Sequence, residues 1–108
     1  MSDHPKSKAV RSLLHRLSKT HELIWAHDGE ELLKLSSLKV SEAKKECLDV
    51  ITSVDESHIN VKNKETGKNT TLFLTLYNDN SEIVCDWTVG DDILDDIISE
   101  HSEYWENK

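Results

Sequence analysis

Six histidines and two cysteines are the residues of this chain best equipped for metal or nucleophile chemistry: His4, His15, His21, His27, His58 and His101, with Cys47 and Cys85. A zinc site needs its ligands at helix or turn spacing, as in His-x-x-x-His or Cys-x-x-Cys. Neither pattern occurs, so the histidines read as scattered surface residues and no metal or cofactor is expected. The other arrangement to weigh is a nucleophilic pair of His58 with Cys85 or Cys47. A catalytic thiolate needs polar, partly exposed surroundings. Both cysteines lie in apolar patterns and read instead as small core residues in a reducing setting. No catalytic residue is assigned, and the chain is expected not to be an enzyme.

Carboxylates are the abundant chemistry. Asp92, Asp95, Asp96, Glu100, Glu103 and Glu106 form one face of a C-terminal helix. General acid–base work needs carboxylates in a cleft with split pKa values, whereas a string on a solvated face gives only mild repulsion between i,i+4 neighbours. The same spacing suits a partner surface, because carboxylates along a rod can imitate DNA phosphates in a basic groove. Residues 91–108 hold seven acids against Lys108 alone, while residues 1–19 hold five basic residues against Asp3. Those two helices therefore also suit each other, within one chain or between two copies.

The elements that position these residues follow from periodicity. Val10, Leu13, Leu14 and Leu17 make a helical stripe in a helix from about Pro5 to Lys19. Asp28-Gly29 signals a two-residue hairpin turn between strands at about 22–27 and 30–35, a register that sets Trp25 against Leu32 and Ile24 against Leu33. Ser41 is placed to cap a second helix with Ala43, Cys47, Val50, Ile51 and Val54 on its buried side. From Ser57 the period becomes two. Ile59 and Val61 face one way, and His58, Asn60 and Lys62 the other. After a turn at 65–68, Leu72, Leu74 and Leu76 oppose Phe73 and Tyr77, the pattern of a central strand. A turn at 78–81 leads into 82–89, with Ile83, Cys85, Trp87 and Val89 on one face. Asp91 then caps the last helix, whose apolar stripe runs through Ile93, Leu94, Ile97, Ile98, His101 and Trp105. The result is one α+β domain over residues 1–108, in the order α-β-β-α-β-β-β-α, with a mainly antiparallel sheet packed by helices and residues 1–4 expected to be disordered.

Several of these pieces fall in an order seen elsewhere. Asp28-Gly29-Glu30-Glu31, Ser53-Val54-Asp55-Glu56-Ser57, Ile59-Asn60-Val61, the strand 72–76, Asn78 and the closing EIVCDWT at 82–88 together resemble a group of small uncharacterised proteins encoded by bacteriophages, prophages and plasmids. The likeness spans roughly residues 22–98. It departs at 77–80, where that group favours glycine and proline and this chain has Tyr77-Asn78-Asp79-Asn80. The resemblance implies a mobile-element origin and no reaction chemistry.

With a net charge of −8 over 108 residues, direct nucleic-acid binding is not expected. The basic N-terminal helix lacks the aromatic residues that stack on bases. No apolar run reaches the ~20 residues a membrane helix requires, and the opening MSDHPKSK lacks a signal-peptide core, so a cytoplasmic setting is expected. The reading is a small acidic protein that binds another, unidentified protein through the carboxylate face, with self-association left open. The alternative is a DNA-mimicking inhibitor of a host nuclease or defence enzyme, or a toxin immunity protein.

Overall fold

A computed structural model describes residues 7–76, 84–87 and 90–106, those at 7, 85 and 101–106 by their backbone alone. The order is α1 (Ser7–Thr20), β1 (His21–His27), β2 (Leu32–Lys34), α2 (Val40–Ser53), β3 (Glu56–Asn63), β4 (Asn69–Thr75), β5 (Val84–Trp87) and α3 (Asp92–Glu106). This is the α+β order read from the sequence. The five strands form one antiparallel sheet in the order β2-β1-β3-β4-β5.

The helix stripe of α1 is buried in full: Val10, Leu13, Leu14 and Leu17, joined by Ala9, meet Ala43, Cys47 and Ile51 of α2 and Leu94 and Ile98 of α3. The inward residues of the sheet close this single core, chiefly Leu23, Ala26, Ile59, Val61, Leu72, Leu74 and Val84. All three helices thus serve one face of the sheet, and α1 lies in contact with both α2 and α3. β3 and β4 are flanked on both sides, as the two-sided pattern of β4 anticipated.

Four details differ from the sequence reading. The first hairpin is shifted by two residues, with Trp25 opposite Lys34 and His27 opposite Leu32. Asp28 causes the shift: its Oδ1 accepts the backbone N–H groups of Glu30 (2.9 Å) and Glu31 (2.8 Å), building a longer loop around Gly29 at φ +99°. Those two bonds, with the nearby His27, hold the Asp28 carboxyl below its ordinary pKa. Second, α2 begins at Val40 with Lys39 in the cap position, so Ser41 lies inside the helix and caps nothing. Val50 is half-buried against the core, and Val54 falls just past the helix end.

Third, the pairing of β4 with β5 shifts between Phe73 and Leu74, making Cys85 a bulge. Val84 and Trp87 are consequently the residues opposite Leu74 and Leu72. Fourth, His21 is no surface histidine, being only 1% exposed. Pro5, residues 1–4, the turn at 78–81 with Tyr77, and Ile83 and Val89 lie outside the described residues.

Candidate functional site

Two arrangements bring chemically capable side chains together. The first is buried. α1 passes into β1 without a loop, so Thr20 and His21 sit at the sheet's end, where His21 pairs with Asn63 of β3. Asp91, 4% exposed, stands before α3 and accepts the N–H of Leu94 at 3.0 Å, as an N-cap should. The same carboxylate lies 2.9 Å from His21 Nε2 and receives the Asn63 amide at 3.2 Å on each oxygen. The other ring nitrogen of His21 is 2.8 Å from the Thr20 hydroxyl. Asn63 Oδ1 in turn accepts the N–H groups of Glu65 (2.8 Å) and Thr66 (3.1 Å), shaping the β3–β4 turn.

Burial on its own would raise the Asp91 pKa. The bonds from His21, Leu94 and Asn63 outweigh it, and the carboxyl sits below its ordinary value. An imidazole oriented by a carboxylate is half of a general-base constellation. Here both ring nitrogens are engaged and the ring is shut from solvent, so the group ties α3 to β1 and β3. Beside it lies a cavity of about 200 Å³, lined by Leu23, Leu35 and Leu38 with Ser18, Glu22 and Lys64 at its polar margin. Lys64 donates there to the carbonyl of Ser18 at 3.0 Å.

The second arrangement is open. Among the described residues α1, α2 and α3 all lie on the other side, and the outer face of the sheet carries a row that crosses all five strands: Leu32, His27, His58, Phe73 and Asp86. The rings of His58 and Phe73 are 4.9 Å apart at a 35° tilt. A parallel row holds Lys34, Trp25, Asn60 and Thr71. Asn60 is fixed by donating to Thr71 Oγ1 (3.1 Å) and accepting from Asn69 Nδ2 (2.9 Å). A bulge at Ile24 lets Leu23 and Ala26 both face the core while Trp25 stays outside. An open trough of about 570 Å³ runs along His58, Thr71, Phe73, Asp86 and Trp87.

The acidic face of α3 is thinner than its sequence suggests. Asp92 and Asp96 are exposed. Asp95 is half-buried and accepts the indole N–H of Trp87 at 2.6 Å, while Glu100 lies 3.6 Å from Arg16 of α1. That ion pair joins the basic and acidic helices within the chain. The side chains of Glu103 and Glu106 lie outside the description.

Cys47 is sealed in the core, where burial pushes its thiol up to about 12, and His58 points out from the opposite face of the sheet. These two therefore cannot form a nucleophile–base pair; the side chain of Cys85 is not described. Among the described residues no three His, Cys, Asp or Glu side chains converge as for a metal ion. Among the same residues no helix is long and apolar enough to cross a membrane.

The sequence reading missed the His21–Asn63–Asp91 group and the transverse row. Asp91 was legible as a cap, but its partners are 70 and 28 residues away. Comparison with protein-family models, with curated proteins and with solved structures finds no match.

Proposed function

We propose that this chain is a small non-catalytic protein of the mobile-element kind that acts in the cytoplasm by binding another protein, and that the bare face of its sheet is the contact surface. One observation carries this reading: on the outer sheet face the paired rings of His58 and Phe73 share one row and Trp25 stands in the next. Aromatic side chains on a rigid platform are the usual anchors of protein interfaces. Asp86 beside Phe73 adds a carboxylate next to a ring, a pairing that suits a lysine or arginine of the partner. The mobile-element character rests on the sequence resemblance.

The DNA-mimic reading keeps one favourable observation, the exposed Asp92 and Asp96 on α3. Against it, Asp95 and Glu100 are engaged within the chain.

The test is affinity capture from bacterial lysate at moderate salt with three baits: wild type, Trp25→Ala/Phe73→Ala, and Asp92→Lys/Asp96→Lys. A protein held by wild type and by the helix variant, and lost by the sheet variant, is the expected result. The converse pattern favours the acidic helix. No protein held by wild type overturns both.

A further inference from the structure

We infer that a second copy of this chain pairs with the free edge of β2, joining two sheets into one continuous sheet about a two-fold axis perpendicular to it. Among the described residues β2 is the terminal strand on its side of the sheet. Of the exposed large apolar residues among those described, Leu32 (51%) and Leu33 (37%) lie in this strand, and Val40 (56%) opens α2.

The backbone is set for pairing. Leu35 N–H donates to Ile24 O and Asp28 N–H to Glu31 O, so the hydrogen-bonded pairs of this hairpin are Ile24 with Leu35, Ala26 with Leu33, and Asp28 with Glu31. By the alternation of antiparallel ladders, the N–H and C=O groups of Leu32 and Lys34 then point away from β1 toward the open edge.

A two-fold axis through Leu33 uses both. Leu32 of one copy and Lys34 of the other become hydrogen-bonded pairs, and Leu33 faces Leu33 of the second copy on the helix side. The register is self-complementary in charge. Each Lys34 falls opposite an apolar Leu32 of the other copy, next to the exposed acidic loop that carries its Glu30 and Glu31. Shortness and a lysine commonly guard an edge against pairing. Here the lysine comes next to the acidic loop of the copy, so the guard is offset in this register. The dimer sets two bare faces side by side, which goes beyond single-chain binding and does not depend on it.

The register makes a specific demand. Directly opposed residues of a non-hydrogen-bonded pair have Cα atoms about 4.5 Å apart, within the roughly 4.4–6.8 Å that a disulfide spans. Leu33→Cys should therefore give a covalent dimer under mild oxidation, whereas Ser36→Cys, six positions out of register with its own copy, and the wild type should not. Sedimentation velocity of the wild type should show a concentration-dependent dimer. Lys34→Pro, which removes an edge-facing N–H and spares the β1 ladder, should abolish it with an unchanged circular dichroism spectrum. Wild type that stays monomeric at high micromolar concentration overturns the inference. So does Leu33→Cys cross-linking no faster than Ser36→Cys. Partner capture by a monomer leaves the functional reading intact.

Discussion

Replacing Asp91 separates a helix cap from a three-way tie. The carboxylate satisfies Leu94 N–H, His21 Nε2 and Asn63 Nδ2 together, all of them buried. Losing a cap alone costs about 1 kcal/mol. Leaving a buried donor without its partner costs about 1–3 kcal/mol, and here both the His21 ring and the Asn63 amide lose theirs. Asp91→Ala should therefore lose about 3–5 kcal/mol, a large share of the ~5–15 kcal/mol that holds a domain together.

The deciding comparison is Asp91→Ser. Serine can still cap α3, but its single hydroxyl cannot serve both His21 and Asn63. If Asp91 is only a cap, the serine variant matches wild type within about 0.5 kcal/mol. If the tie holds α3 to the sheet, serine loses about 2–4 kcal/mol.

Urea unfolding followed by tryptophan fluorescence measures this, with an unchanged m-value confirming that the native state stays compact. The pH dependence gives a second readout. The folded-state pKa of Asp91 is depressed, so its contribution is complete above the unfolded value of about 3.9 and is lost as pH falls through the folded value. Wild type should lose stability on acidification below about pH 4, and Asp91→Asn should flatten that limb. Serine and asparagine variants both as stable as wild type at neutral pH would refute the tie.

Three further outcomes follow from particular contacts. The Cys47 thiol, pushed to about 12 by burial, should resist a disulfide reagent in the native state and react at the global unfolding rate. Asp95→Ala should cost about 1.5–3 kcal/mol by removing the acceptor for the indole N–H, and should shift the Trp87 emission, whereas Asp96→Ala should leave both unchanged. Arg16→Ala should change stability by less than about 1 kcal/mol, because its ion pair with Glu100 is solvent-exposed, and added salt should erase the difference.

What was legible in the sequence was what a local period encodes. The α1 stripe is set by spacings of three and four, and every member of it is buried. Ile59 and Val61 face the core and His58 and Lys62 face out, because a strand has no other choice within one stretch. Register is different, since it is set by particular turn and ladder hydrogen bonds that hydrophobic period does not encode. One carboxylate, Asp28, moved the first hairpin by two residues, and a bulge at Cys85 exchanged which residues of β5 face inward. Sidedness survived the first because the shift was even, and failed in the second because a bulge adds one.

The same distinction explains why the candidate surface moved from α3 to the sheet. A helix face can be read from composition, so seven acids in residues 91–108 stood out at once. Their engagement could not be read, because Trp87 and Arg16 reach Asp95 and Glu100 from other elements. The transverse row runs the other way. Leu32, His27, His58, Phe73 and Asp86 come from five strands and share no sequence spacing, yet the ladder registers place them in line. A surface assembled by register costs the chain nothing locally and carries no motif. A sheet covered on one side alone must still present something on the other, and here that face holds Trp25, His58 and Phe73 where charged residues alone would have kept it soluble. That choice of residues, more than the acidity of α3, is the feature that a partner would explain.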